Sequence, residues 1–223
     1  MIDFAELRRG MVDGQVRTND VTDFRIVEAM LEIPRERFVP DALRSLAYID
    51  DDLIIRQASP TAPARYILEP MVLAKLLQLA DVQPTDLVLT IGAGTGYSAA
   101  LLARLSGQVV SVEDDADLVA AANAALSDVG AANVATFQGS LTAGWAGEAP
   151  YDIIFLNGSI DDVPEALVAQ LKDGARLVGV KGRGGAGRAI VLTKVGTAAS
   201  EVSAFNAAAP ALPGFEAPPR FTF

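Results

Sequence analysis

The chain contains no cysteine and no histidine. Without cysteine there can be no disulfide, no thiolate metal site and no cysteine nucleophile. Without histidine there is no Ser-His-Asp triad, no imidazole metal ligand and no histidine acid or base. No metal site is expected. Positive charge is scarce as well: 18 Lys and Arg against 28 Asp and Glu give a formal net charge of −10 at pH 7. Phosphate backbones are held by clustered Lys and Arg, so this balance argues against a nucleic-acid partner. Long hydrophobic runs are missing too. The longest uncharged stretch, Val129 to Gly147, is broken by Asn133, Gln138, Ser140, Thr142 and several glycines. A membrane helix needs about 20 predominantly apolar residues, so no membrane partner is expected. Asp3 and Glu6 fall among the first residues and no long apolar stretch follows them, which does not read as a secretory signal. The expected location is cytoplasmic.

What is present is enough apolar material, 51% of 223 residues, for a sizeable core. At about 100–200 residues per domain, one domain with an appendage is expected. The boundary is placed at a change of pattern near residue 80. Residues 1–80 read as a helical N-terminal extension with a loop packed on the core, and residues 81–223 as the core with a C-terminal tail. In the extension, Ile26, Val27, Met30 and Leu31 recur at helical spacing behind Asp23, a plausible N-cap. Ser59 to Arg65, with Pro60 and Pro63, reads as an exposed loop. Val72, Leu73, Leu76, Leu77 and Ala80 form another one-sided helix.

Beyond residue 86, short apolar runs alternate with helices. Strands are expected at Leu87–Ile91, Val109–Glu113, Val134–Phe137, Asp152–Leu156 and Leu177–Val180. Helices are expected at Ser98–Leu105, Asp117–Ser127 and near Pro164–Leu171, the last with Asp162 as its cap. Lys181–Arg188 holds four glycines and reads as a hairpin tip leading into the strand Ala189–Val195. Alternation of this kind, with near-continuously apolar strands, predicts a doubly wound α/β sheet. The late hairpin adds an antiparallel C-terminal edge. The last 20 residues, with Pro210, Pro213, Pro218 and Pro219, read as an extended tail over the surface.

Gly92-Ala93-Gly94-Thr95-Gly96 follows the first of these strands and opens a helix. Glycines there permit a tight turn and let a ligand approach the backbone. Glu113 ends the next strand, where a carboxylate can accept both hydroxyls of a ribose. The pyrophosphate fingerprint G-x-G-x-x-G has a third glycine that this chain replaces with Tyr97. S-adenosylmethionine carries no phosphate, so the spacing favours it over a dinucleotide.

The run Val88-Leu89-Thr90-Ile91-Gly92-Ala93-Gly94-Thr95-Gly96-Tyr97, followed by Val110-Ser111-Val112-Glu113, resembles the protein-L-isoaspartate O-methyltransferase family. So do Pro34-Arg35-Glu36-Arg37-Phe38-Val39-Pro40, Pro150-Tyr151-Asp152-Ile153-Ile154 and Gln170-Leu171-Lys172-Asp173-Gly174-Ala175-Arg176-Leu177. The resemblance runs from about residue 10 to 195. It implies a class I methyltransferase (Rossmann-like) fold and S-adenosylmethionine as methyl donor. It also implies a peptide or protein substrate whose isoaspartyl carboxylate is esterified for repair. The implied cofactor residues are Gly92, Ala93, Gly94, Tyr97, Glu113, Asp114, Gly139 and Ser140. A carboxylate nucleophile is already ionised at neutral pH, so the missing histidine and cysteine do not conflict with this chemistry.

The chain departs from the family pattern in places that matter. The family's substrate loop reads Thr-Ile-Ser-x-Pro; here it reads Tyr66-Ile67-Leu68-Glu69-Pro70, so the serine hydroxyl has no counterpart and no catalytic residue is assigned. Loss of one stabilising donor typically costs about 100- to 1000-fold in rate. Glu69 also adds a negative charge beside a carboxylate substrate. Thr90 stands where the family carries an acid at the end of the first strand, Ser140 replaces an aspartate, and Asn157-Gly158-Ser159-Ile160 replaces a small-residue run. Three readings stay open: an isoaspartyl methyltransferase with a rebuilt loop, a methyltransferase of the same fold acting on another nucleophile, or a non-catalytic cofactor- or partner-binding homologue.

Overall fold

The computed structural model describes residues 2–182 and 184–217. Its centre is a seven-stranded sheet built from β3 (Leu87–Ile91), β4 (Gln108–Glu113), β5 (Val134–Gln138), β6 (Tyr151–Ile160), β7 (Leu171–Lys181), β8 (Arg188–Val195) and β9 (Ala198–Asn206). The spatial order is β5-β4-β3-β6-β7-β8-β9. The strands from β5 to β7 run parallel, and β8 and β9 are antiparallel additions. The expected antiparallel edge is therefore present, one strand wider than the sequence suggested. β9 escaped notice because it is almost wholly exposed and carries no apolar alternation.

Each central strand buries both faces, as its unbroken apolar sequence requires. Val88, Val109, Ile153, Phe155 and Val178 face one core, and Leu89, Ile91, Val110, Val112, Ile154 and Leu156 face the other. The first core is roofed by α3 (Pro70–Ala80), α4 (Tyr97–Leu105), α5 (Ala116–Asp128) and the N-terminal helices α1 (Phe4–Met11) and α2 (Phe24–Glu32). Asp23 caps α2 by accepting from the Arg25 N–H at 2.9 Å, and Pro70 opens α3 in its first turn, where its missing N–H costs nothing. The second core is roofed thinly, by the five-residue α6 (Glu165–Ala169), the 139–150 loop and a C-terminal strap that buries Leu212 and Phe215.

Three expectations need correction. Residues 53–67 are not simply helix and exposed loop. They form a separate antiparallel hairpin of β1 (Leu53–Arg56) and β2 (Arg65–Ile67), whose tip is exposed but whose Arg65 is buried. Helix α6 takes Pro164 at its cap position, while Asp162 pairs with Lys181 at 3.5 Å instead of capping. The tail is no loose surface chain: Ser159 N–H donates to Pro210 O and Leu212 N–H to Ser159 O, both at 2.8 Å, so the strap continues the pairing at the end of β6. Pro218 and Pro219 lie outside the described residues.

Candidate cofactor cleft

Strand β3 connects towards β4 on one side, while β6 returns on its other side. The order therefore reverses between β3 and β6, and ligands of open α/β sheets bind beyond the strand ends at such a switch point. The glycine loop sits there. Gly92, Gly94 and Gly96 all adopt positive φ (69°, 57° and 96°), a region closed to most side chains. Gly92 N–H donates to Val112 O at 2.9 Å, which ties the loop to β4. Ala93 O accepts from the Gly96 N–H at 2.9 Å and closes the turn into α4.

Glu113 ends β4 fully buried under this loop. Its carboxylate accepts from the N–H groups of Gly94 and Asp114 at 2.9 Å and of Asp115 at 3.3 Å. Arg65, reaching across from β2, grips the same carboxylate with Nη1 on Oε1 at 2.5 Å and Nη2 on Oε2 at 2.7 Å. A second bond runs from Arg65 Nη1 to Asp114 Oδ1 at 2.6 Å. Burial pushes the Glu113 carboxyl up to about 7, against the opposing pull of the Arg65 charge. For Asp114 burial also works upward, but hydrogen bonding to Glu113 and the charge of Arg65 bring it below the usual carboxylate range. Arg56, on β1, pairs with Asp115, the residue that caps α5. The acidic run Glu113-Asp114-Asp115 is thus clamped by two arginines from one hairpin.

The structure brings Gly92, Ala93, Gly94, Glu113 and Asp114 together as expected. Gly139 is tied to the same place by its N–H, which donates to Glu113 O at 3.0 Å. Ser140 is exposed, its hydroxyl 3.1 Å from that of Thr142. Tyr97 departs from the expected set, because its ring turns into the core against Phe38, with the Arg35 guanidinium 4.9 Å from its centroid. Phe137 and Trp145 stack at 4.2 Å beside Gly139.

The segment Tyr66–Pro70 lies alongside. Tyr66 and Ile67 belong to β2, and Leu68 is buried with its carbonyl accepting from Arg35 Nη2 at 2.8 Å. Glu69 donates its N–H to Asp52 Oδ1 at 2.8 Å. Burial, then Asp52, Asp50 and Asp51, push the Glu69 carboxyl up to about 7. Leu68 and Asn157 help to enclose a residual cavity of about 10 Å3 beside Gly92.

In this arrangement the chain's own side chains cover the glycine loop. A Cβ placed on Gly92 would lie 2.5 Å from Leu212 Cδ2, and one on Gly94 would lie 2.4 Å from Ile55 Cδ1. The space that the glycines leave open is taken by Leu212 beside Gly92 and by Ile55 beside Gly94. The sequence reading missed Arg65, Ile55 and Leu212. The available signals were the short apolar, β-branched run Leu53-Ile54-Ile55 and three consecutive acids that call for cations.

Comparison with known proteins agrees with the fold. The profile of the family described as protein-L-isoaspartate(D-aspartate) O-methyltransferase matches residues 8–203. The protein-L-isoaspartate O-methyltransferase of Methylorubrum extorquens is 39% identical over 194 residues, covering 87% of this chain and 82% of its own. A solved protein-L-isoaspartate O-methyltransferase superposes with a TM-score of 0.80 at 27% identity, covering 93% of this chain and 66% of that longer one. A Plasmodium falciparum structure described as a putative member, in complex with S-adenosyl-L-homocysteine, gives a TM-score of 0.75 at 18% identity, over 95% of this chain and 99% of that one.

Proposed function

Because the chain belongs to the protein-L-isoaspartate(D-aspartate) O-methyltransferase family, we propose that it is an S-adenosylmethionine-dependent O-methyltransferase acting on isoaspartyl carboxylates in peptides or proteins. The observation that carries this reading is the pairing of a three-glycine, positive-φ loop with a buried strand-end carboxylate, Glu113, at the switch point of the sheet. In this reading Glu113 accepts the ribose hydroxyls of the cofactor, and Gly92 and Gly94 let it approach the backbone. The cofactor supplies an electrophilic methyl group. The chain's own task is then positioning and exclusion of water, since a carboxylate substrate needs no general base.

The boundary near residue 80 becomes a division of labour: the first part supplies the hairpin and the substrate loop, the second the glycine loop and the carboxylate. No helix among the described residues is long and apolar enough to cross a membrane. A cytoplasmic location stays part of the proposal and is tested by cell fractionation of the tagged chain. A second reading, transfer to a different nucleophile, is favoured by buried Leu68, which offers no hydroxyl at the family's serine position. Incubation with labelled S-adenosylmethionine and paired isoaspartyl and aspartyl peptides tests both. Label on the isoaspartyl peptide alone supports the first reading; a folded, cofactor-binding protein that labels neither peptide rules out isoaspartyl activity and supports the second.

A further inference from the structure

The hairpin 53–67 packs on the glycine loop and on the acidic run after β4. Its Arg65 takes the Glu113 carboxylate with both Nη atoms, its Ile55 covers Gly94, and its Arg56 holds Asp115. From the other side, Leu212 of the C-terminal strap covers Gly92. Resting on the cofactor reading above, we propose that Arg65 is an internal competitor for the cofactor site. Its guanidinium occupies the ribose acceptor, and S-adenosylmethionine enters only when the β1–β2 hairpin swings away.

The competition follows from bond types. A guanidinium offers a carboxylate two parallel, charge-assisted bonds, while a ribose offers two neutral hydroxyls. Exchanging one for the other therefore works against the ligand, and the apparent affinity falls by the fraction of molecules that are open. The hairpin is suited to move. It pairs with no strand of the central sheet, and two strands alone are marginally stable. Its tip, from Gln57 to Thr61, is exposed. On its outer side, Ile55 and Arg56 form part of the wall of a groove of about 350 Å3 that also borders Phe38, Thr95 and Leu118. Leu53, Ile55 and Ile67 seat the hairpin on the first core, and Arg56 and Arg65 tie it to the acidic run after β4.

Calorimetric titration with S-adenosyl-L-homocysteine, on the whole chain and on Arg65→Ser, tests the proposal, together with amide hydrogen exchange. Arg65→Ser is expected to bind at least tenfold more tightly than the unmodified chain. In the unmodified chain, saturating S-adenosyl-L-homocysteine is expected to speed exchange across 53–67. Equal or tighter binding by the unmodified chain overturns the competition and leaves the cofactor reading intact. So does a hairpin whose protection is unchanged when ligand binds, a result that needs no variant to fold. Absence of binding to either folded protein at millimolar ligand overturns the cofactor reading, and the competition with it.

Discussion

Asn157 on β6 donates from Nδ2 to the Thr90 hydroxyl on β3 at 2.7 Å, and from the same nitrogen to Ile91 O at 3.0 Å. Two positions at which this chain departs from its family are therefore each other's partners. Thr90 is fully buried, so its hydroxyl depends on this contact. Thr90→Val alone leaves the Asn157 amide short of an acceptor, and Asn157→Leu alone leaves the Thr90 hydroxyl unpaired. Each single change is expected to cost about 1–3 kcal/mol. The double variant should cost less than the sum, with a coupling of at least about 0.5 kcal/mol. Urea denaturation of the four proteins measures it; strict additivity would mean that the two side chains do not interact in solution.

The Arg65–Glu113 pair makes a stability prediction apart from any ligand. Both side chains are almost wholly enclosed, at 4% and 0% exposure. Removing one partner of such a pair strands a buried charge, at about 3–5 kcal/mol, whereas replacing both by apolar groups is often close to neutral. Glu113→Ala leaves Arg65 with its bond to Asp114, so it is expected to be destabilising at or below the low end of that range, with the Arg65→Met, Glu113→Leu double variant nearer to the unmodified chain. A Glu113→Ala chain as stable as the original would show that Asp114 or water satisfies Arg65 there.

How far the sequence carried the reading can be judged from these residues. The central strands of the sheet were legible because they are apolar on both faces, and Gly92 to Gly96 because three glycines after a strand have a backbone reason to be there. Glu113 was legible as a strand-end acceptor; its burial and its pairing with Arg65 were not. Arg65 lies 48 positions from Glu113, and a prolines-and-small-residues stretch before it suggested exposure. Only the long-range pairing of the hairpin with the acidic run makes it a core residue. Leu212 was hidden for a similar reason, since a proline-rich tail carries no period that would mark one leucine as seated. Thr90 and Asn157 read as two separate departures, and only the structure joins them in one contact.

Glu69 makes the stability pH-dependent. Its ordinary value of 4.5 rises to about 7 in the fold, first through burial and then through Asp52, Asp50 and Asp51. The fold thus favours the neutral acid. The contribution is fully present below about pH 4.5, is lost progressively towards pH 7, and is absent above it. Glu69→Gln removes the ionisation, so it should leave stability unchanged at pH 4 and raise it at pH 8. The gain expected is about 1–2 kcal/mol, after allowing for solvent screening of a partly exposed group. Thermal unfolding at the two pH values decides it, and an equal effect at both would remove Glu69 ionisation as the cause.

The strap over the switch point can be tested through Gly158. This glycine does not lie in the left-handed region, so replacing it carries no backbone penalty. A Cβ there would nonetheless lie 2.6 Å from Pro210 O and 2.8 Å from Leu212 Cγ. The first of these atoms is backbone and cannot rotate away, so Gly158→Ala must lift the strap. Lifting it stretches the bonds by which Ser159 N–H reaches Pro210 O and Leu212 N–H reaches Ser159 O. Overpacking of this kind costs about 1–3 kcal/mol. The variant is expected to lose stability in that range and to show faster amide exchange at Ser159 and Leu212, with the amides of β3 and β4 unaffected. If both amides kept their protection and stability did not change, the strap would not be seated on Gly158, and Leu212 would not be what covers Gly92.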